Sequence, residues 1–337
     1  MKTAFFSFTD CGARLKDRLR SYLLDEGHQA FDLRREAGLK EQAAAAFAGA
    51  DALLFVGAAG IAVRAIAPLV RSKLSDPAVI VVDELGRWVI PLLGGHIGGG
   101  NELALELAAF LGAEAVITTA TDIHGLFAVD VWAVKQDLAI SSLEKAKRVS
   151  AALLKGGEVP LLSDYAIEGR PPRGIVYNQG GGAGGDGFGI IVSMRRLDGG
   201  EAMLRLIPRR LYVGIGCRKG VSEGAIAELF QRTLEKLRLD ERCVAGAASI
   251  DLKQAEVGLL NFCGNRGLAC SFFDAAALGR VRGSFSASRF VQETAGVDNV
   301  CERAAVAASG GGELLLAKTV GRGVTMAAAL KRVELSF

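Results

Sequence analysis

The sequence predicts an α/β protein with an amino-terminal α/β layer domain, a smaller variable middle segment and a separate carboxy-terminal α/β domain. Short apolar runs alternate with helical periodicity along most of the chain. Two of these runs, at residues 88–93 and 211–215, end in glycine turns that lead into helices. A polar junction at residues 207–210 precedes the second turn. We therefore expect domains at residues 1–125, 126–207 and 208–337.

The amino-terminal domain begins with alternating strand and helix patterns. The predicted elements are a strand at residues 2–8, a helix at 13–24, a strand at 30–33, a helix at 36–48, and strands at 52–56 and 78–82. The last two runs are continuously apolar, which is typical of strands that are covered on both faces of a parallel sheet. In such sheets ligands bind at the carboxyl ends of the strands, so we expect a site there.

Residues 88–122 organise this domain. The turn after its apolar run consists of Gly94, Gly95, His96, Gly98, Gly99, Gly100 and Asn101. A helix then ends at Gly112, and a strand starting at Val116 runs into a hydroxyl-rich tip at residues 118–122. We expect the turn and the tip to meet at one edge of the sheet. Because glycines allow close approach and the free N–H groups of a helix start favour anions, the turn is predicted to hold a carboxylate or phosphate.

The rest of the chain continues the α/β pattern. The middle segment is predicted to contain a strand at 129–134, a helix at 142–154, and strands at 159–163 and 190–193. Its glycine-rich run at 180–189 lacks the Gly-Lys-Ser/Thr ending of a phosphate loop and is interpreted as a turn. The carboxy-terminal domain starts with a strand, a glycine turn and a helix that reaches about Leu239, and a later strand is predicted at 269–273.

Composition excludes several classes of protein. With 337 residues, 50% hydrophobic content, 7% aromatic residues and a net charge of +3, the chain has no strong footprint for nucleic acid. Its six cysteines are scattered without a Cys-x-x-Cys pair, and its three histidines have no metal-ligand spacing. Glycines interrupt the apolar stretch at 43–63, which argues against a membrane span. We expect a cytoplasmic protein with no membrane, nucleic-acid or protein-held metal partner.

Several motifs occur in an order that resembles a known family. The runs at 55–68, 73–86, 92–104 and 116–122 resemble the amino-terminal half of the cobalt-precorrin-5A hydrolases, the CbiG family of anaerobic cobalamin biosynthesis. The Gly-x-Gly-Cys-Arg-Lys turn and the Ser-Ile-Asp-x-Lys-x-x-Glu motif at 249–256 are similar to that family's carboxy-terminal domain. The middle segment resembles its variable central region.

This resemblance implies a hydrolytic reaction on a ring-contracted cobalt tetrapyrrole. Members of the family open a δ-lactone between the ring-A acetate and the extruded carbon C20, and then release that carbon with its methyl group as acetaldehyde to give cobalt-precorrin-5B. The expected ligands are therefore cobalt-precorrin-5A and water, and neighbouring enzymes of the corrin pathway are candidate partners. No cofactor is expected, because the substrate itself carries the cobalt.

His96 and Asp122 are the candidate catalytic residues. An imidazole that titrates near neutrality can take a proton from water or from the C20 hydroxyl. The alternative for His96 is a hydrogen bond to the glycine backbone only. Asp122 either orients His96 or acts as a base, and its alternative is an N-cap or turn aspartate.

The expected substrate carries many acetate and propionate carboxylates, so cations and backbone donors are the candidate binding groups. These candidates are Arg64, Lys73, Gly94, Gly95, Gly98, Gly99, Gly100, Asn101, Thr118, Thr119, Thr121, Gly216, Cys217, Arg218, Lys219, Lys253 and Lys318. Each cation alone is equally consistent with a solvated surface charge. The neighbouring charges of Arg218 and Lys219 could lower the pKa of the Cys217 thiol whether or not catalysis uses it, so Cys217 is kept as a binding candidate only.

Two other functions remain open at this point. A phosphate- or nucleotide-dependent transferase would use the same glycine turns, but Gly214, Gly216 and Gly220 are spaced GxGxxxG rather than in the dinucleotide pattern GxGxxG. A non-catalytic corrinoid carrier would bind the macrocycle without turnover.

Overall fold

The computed structural model describes residues 1–33, 36–72, 75–95, 98–119, 123, 125–180, 187–196 and 202–337. The chain forms two compact units, Met1–Val131 and Trp132–Phe337. Four residues of the predicted site lie outside the described residues: Lys73, His96, Thr121 and Asp122. The three predicted domain limits stay predictions.

A six-stranded sheet forms the centre of the first unit, in the order β2-β1-β3-β4-β5-β6. Its strands are β1 (Lys2–Ser7), β2 (Gln29–Ala30), β3 (Ala52–Val56), β4 (Ala78–Val82), β5 (Trp88–Leu93) and β6 (Glu114–Ala115), and its helices are α1 (Asp10–Asp25), α2 (Leu39–Gly49), α3 (Ala59–Ile66) and α4 (Gly100–Leu111). Every residue of β3 and β4 is buried, which confirms that these runs are strands covered on both faces.

The direction in which β5 runs decides at which edge of the sheet the glycine turn lies. Strand β5 is antiparallel to β4, whereas the other neighbouring strands of the sheet are parallel. The carboxylate of Asp83 accepts hydrogen bonds from the backbone N–H groups of Leu85, Arg87 and Trp88, at 3.2, 2.7 and 2.7 Å, and so closes a tight connection between the two strands. Consequently the turn after β5 lies at the edge where β1, β3 and β4 begin, not where they end.

The second unit contains two five-stranded sheets, in the orders β10-β8-β11-β12-β7 and β15-β14-β13-β17-β16, and a small pair β18-β9. Its strands are β7 (Leu138–Ile140), β8 (Val159–Ser163), β9 (Ile167–Glu168), β10 (Ile175–Gln179), β11 (Ile190–Val192), β12 (Leu204–Pro208), β13 (Leu211–Cys217), β14 (Val244–Ile250), β15 (Ala269–Phe273), β16 (Glu313–Val320), β17 (Val324–Leu330) and β18 (Leu335–Ser336). Its described helices are α6 (Leu143–Leu154), α7 (Glu223–Leu237), α8 (Val257–Asn265), α9 (Ala275–Arg280), α10 (Arg289–Ala295) and α11 (Cys301–Ala308), and α5 (Val129–Lys135) begins at the end of the first unit.

Three predicted strands were wrong in type or extent. Residues 129–134 belong to helix α5, in which the indole N–H of Trp132 donates to the carbonyl of Ser336 at 2.7 Å and the ring stacks on Phe337. These contacts come from the far end of the chain, so no local pattern reveals them. The strand predicted at 116–117 is β6, two residues earlier, and the strand predicted at 30–33 is only β2.

The carboxy-terminal sheet gathers strand ends at one edge. Strands β13, β14 and β15 are parallel, while β17 is antiparallel to both β13 and β16. The carboxyl ends of β13, β14, β15 and β16 therefore lie beside the start of β17. Helix α11 packs directly on β13 because Gly214 has no side chain: a Cβ there would overlap the carbonyl oxygen of Cys301.

Candidate functional site

A cavity of about 580 Å³ opens at this carboxyl edge of the carboxy-terminal sheet. It brings together all six residues of this domain that the sequence predicted to bind substrate. They are Gly216, Cys217, Arg218, Lys219, Lys253 and Lys318. Arg218 and Lys219 are exposed, and Lys253 and Lys318 are partly buried. Four cations around one cavity suit a ligand with several negative charges.

A carboxylate organises the glycine turn beside the cavity. Glu256 accepts a hydrogen bond from the backbone N–H of Gly220 at 2.9 Å and pairs with the ammonium group of Lys253 at 3.2 Å. The N–H of Gly220 and, to a smaller extent, the charge of Lys253 hold the pKa of the Glu256 carboxyl below its ordinary value. Glu256 is therefore ionised at neutral pH and ties the turn to Lys253.

The cysteines of the cavity are protonated thiols. Burial raises the pKa of Cys217, and the charge of Lys253 opposes this only in part, so the lowering that Arg218 and Lys219 could have caused is not observed. Burial also raises the pKa of Cys301 to about 11. At neutral pH neither residue is a thiolate nucleophile.

The cavity also contains residues that the sequence-based prediction missed. Ser288, Asn299 and Thr325 supply polar groups to its wall. Leu252 and Val320 line its mouth with 65% and 63% of their surface exposed. Large apolar side chains that remain exposed beside a cavity are typical of a binding surface. The cavity therefore combines an apolar mouth with a cationic rim.

The amino-terminal glycine turn is closely packed by backbone atoms. Gly94 has φ +66°, and a Cβ there would lie 2.9 Å from the Cα of Ala78. The N–H groups of Gly100 and Asn101, at the start of α4, donate to the carbonyls of Gly94 and Gly95 at 3.0 and 2.8 Å. Two of the donors predicted for an anion are thus bonded within the turn itself.

The turn and the hydroxyl-rich tip meet, as expected. The side-chain amide of Asn101, which is 7% exposed, donates to the hydroxyl of Thr119 at 3.2 Å. Thr118 is exposed beside this contact. Arg64 lies in the last turn of α3 and donates to the carbonyl of Gly60 on its own helix at 3.3 Å. The binding roles assigned to these residues stay predictions.

Within the described ranges, no group of three or more His, Cys, Asp or Glu residues is arranged to hold a metal ion. No helix among the same residues is long and apolar enough to cross a membrane.

Family models match three consecutive regions of the chain. They are described as cobalamin synthesis G N-terminal at residues 41–122, cobalamin biosynthesis central region at 127–208, and cobalamin synthesis G C-terminus at 211–329. A cobalt-precorrin-5A hydrolase of Salmonella typhimurium is 35% identical over 329 residues, which cover 90% of each chain. The chain belongs to the cobalamin synthesis G family.

A second relative in this family is similar over most of its length. A cobalt-precorrin-5A hydrolase of Priestia megaterium is 32% identical over 292 residues, which cover 82% of this chain and 78% of that protein. The crystal structure of a cobalamin biosynthesis protein G homologue from Sulfolobus solfataricus aligns with 98% of this chain and 97% of its own, at 21% identity and a TM-score of 0.43. That structural similarity is too low to bear on the site.

The two glycine turns fall in different regions of the family. The turn at 94–101 lies in the amino-terminal region, and all six predicted residues of the cavity lie in the carboxy-terminal region.

Proposed function

We propose that this protein is a cobalt-precorrin-5A hydrolase. Two relatives with that name are 35% and 32% identical to the chain over most of their length. The observation in the structure that best supports the proposal is the cavity in which Arg218, Lys219, Lys253 and Lys318 surround an apolar mouth. A tetrapyrrole with acetate and propionate side chains has matching chemistry, since its ring is apolar and its periphery is anionic.

The proposed reaction has two steps. Water adds to the lactone carbonyl, and the ester C–O bond breaks to leave a carboxylate and a hydroxyl group on C20. That hydroxyl then loses its proton while the C–C bond to the ring breaks, which releases acetaldehyde and leaves the electron pair in the conjugated macrocycle. The cobalt enters with the substrate, and we propose no resident cofactor.

The chain offers groups for each proton transfer. We propose His96 as the base that takes the proton from water or from the C20 hydroxyl, and Asp122 as the residue that orients it. Both lie outside the described residues. An imidazole needs no metal to accept a proton near neutral pH, so this assignment requires only substrate, water and the chain itself.

The binding groups are divided between two regions. We propose that the four cations of the carboxy-terminal cavity bind peripheral carboxylates, and that Arg64, Lys73 and the glycine turn with its hydroxyl tip bind others. We also propose a cytoplasmic location, and neighbouring enzymes of the corrin pathway as partners that deliver substrate or accept product.

The function is tested by anaerobic incubation of the purified chain with cobalt-precorrin-5A, with acetaldehyde measured by trapping. We expect stoichiometric acetaldehyde from the native chain and a loss of about 10²-fold or more in His96→Ala, with Asp122→Asn measured beside it. If neither substitution changes acetaldehyde release, the hydrolase function is supported but His96 is not the base. Folded protein that binds the corrinoid but releases no acetaldehyde would identify a carrier instead.

A further inference from the structure

Strand β16 contains an irregularity next to the cavity. Leu316 pairs with Ala328 and Thr319 pairs with Met326, so β16 has one more residue between these pairs than β17 has. This is the arrangement of a β-bulge, which leaves an N–H group without its ladder partner and redirects a side chain. Lys318 lies within the bulge.

The N–H group that the bulge frees is bound by a buried carboxylate. Glu302 is 1% exposed and lies in the first turn of α11. Its Oε1 accepts from the backbone N–H of Lys318 at 2.7 Å and from the hydroxyl of Ser286 at 2.8 Å. Its Oε2 accepts from the backbone N–H of Ser286 at 2.8 Å. Among the described residues, no lysine or arginine forms an ion pair with it, so neutral donors alone stabilise the carboxylate.

Asn299 completes this network. Its side-chain nitrogen donates to the carbonyl and the hydroxyl of Ser286 at 2.9 and 3.0 Å, and its side-chain oxygen accepts from the N–H of Glu302 at 2.8 Å. A buried polar network with its members hydrogen-bonded holds one geometry firmly. Here it fixes α11, the loop at Ser286 and the bulge relative to one another.

Lys318 is partly buried and belongs to the lining of the cavity beside these elements. Lys318, Asn299 and Cys301 line it together. The hydrogen bond to Glu302 uses only the backbone of Lys318 and leaves its ammonium available to a ligand.

We propose that Glu302 is a positioning residue that holds the bulge of β16, so that Lys318 pairs with a peripheral acetate or propionate carboxylate of a tetrapyrrole whose ring lies against Leu252 and Val320. This inference rests on the proposed function for the class of ligand. The inference adds that Lys318 is a cation that binds a carboxylate, and that the buried Glu302 holds Lys318 in position.

The ligand half of the proposal is tested by binding without turnover. Absorbance titration of the full chain uses two probes, the corrinoid polyacid cobyrinic acid and its methyl ester. We expect Lys318→Met to weaken polyacid binding about tenfold and to leave ester binding unchanged, because only the acid offers a charge-assisted hydrogen bond. Lys318→Arg restores part of the loss. Lys331→Met, an exposed lysine outside the cavity, is the matched control and leaves both affinities unchanged.

The positioning half is tested by a double-mutant cycle. Glu302→Gln keeps the size of the side chain but replaces one acceptor oxygen with a donor, and we expect it to weaken polyacid binding several-fold. If Glu302 acts through Lys318, it weakens binding no further in the Lys318→Met background. Ser286→Ala, which removes one donor to the same carboxylate, gives a milder second variant if Glu302→Gln does not fold.

These outcomes are separate from those of the acetaldehyde assay. Equal losses for polyacid and ester, or additive effects in the cycle, would overturn the proposal and leave a structural role for Glu302. A polyacid-specific loss in Lys318→Met without acetaldehyde release from the native chain would support this site while the proposed hydrolase fails.

Discussion

The two glycine turns look alike in the sequence and differ in the structure. Each follows an apolar strand and leads into a helix. In the amino-terminal turn, the N–H of Gly100 donates to the carbonyl of Gly94, so this donor is already hydrogen-bonded within the backbone of the turn. In the carboxy-terminal turn, the N–H of Gly220 donates to the carboxylate of Glu256, which comes from a distant part of the chain. Only the second turn places exposed cations beside a described cavity.

The difference shows what glycine spacing does and does not predict. Glycines indicate a tight turn because they permit left-handed backbone and close approach. They do not indicate whether the group that packs closely against the glycine belongs to the protein or to a ligand. At Gly94 the approaching group is the start of β4, and at Gly220 nothing lies within 4 Å of a Cβ. A turn of the first kind is primarily structural, and a turn of the second kind leaves space for a ligand.

The largest effect that this comparison predicts is on stability at Gly94. A methyl group there meets the backbone of Ala78 at 2.9 Å, and the residue has φ +66°. We expect Gly94→Ala to lower the free energy of unfolding of the amino-terminal unit by about 2–5 kcal/mol, the sum of a left-handed backbone penalty and overpacking. Urea denaturation followed by fluorescence measures this.

Gly216→Ala is the comparison substitution at the end of β13, just before the carboxy-terminal turn. A methyl group there would lie 2.5 Å from the hydroxyl of Thr325, a side chain that can rotate away at the cost of its hydrogen bond to the Gly216 carbonyl. We expect a loss of no more than about 1 kcal/mol. If Gly216→Ala destabilises the chain as much as Gly94→Ala does, the two turns do not differ in the way proposed.

A smaller effect is predicted where the amino-terminal turn meets the hydroxyl tip. Thr119→Val removes the acceptor of the Asn101 side-chain amide while keeping the shape of the side chain. We expect it to cost about 1 kcal/mol of unfolding free energy, the usual net value of one hydrogen bond. Thr118→Val, at an exposed neighbour, is the control and should change stability by less than about 0.5 kcal/mol. Equal values for the two variants would show that the contact contributes nothing.

Local patterns were sufficient for much of this fold. The continuous apolar runs predicted β3 and β4, and Ser142 predicted the start of α6, where its hydroxyl accepts from the N–H of Lys145 at 3.3 Å. The strand, glycine turn and helix at residues 211–237 were also correct in type and order. These elements follow from side chains that lie close together in the sequence.

Other features depend on partners that are distant in the sequence. Helix α5 is one example, because its Trp132 contacts Ser336 and Phe337, about two hundred residues later in the chain. The six cavity residues were predicted from family motifs, but the network beneath them was not. The available signal was Glu302, the one acidic residue of a helix that otherwise contains Arg303 and small or apolar residues, since a buried carboxylate requires partners.

The smallest predicted effect is a difference in how pH acts on the two turns. The pKa of Glu256 is below its ordinary value because the N–H of Gly220 stabilises the carboxylate. Its contribution is therefore fully present above the ordinary pKa and is lost as pH falls through the lowered pKa. We expect exchange protection of the Gly220 amide, corrected for intrinsic exchange, to decrease in acid, while that of Gly100, bonded to a carbonyl, stays constant. In Glu256→Gln the amide carbonyl can still accept but does not titrate, so the acid-dependent loss at Gly220 should disappear. A pH profile that this substitution leaves unchanged would mean that another group controls the carboxy-terminal turn.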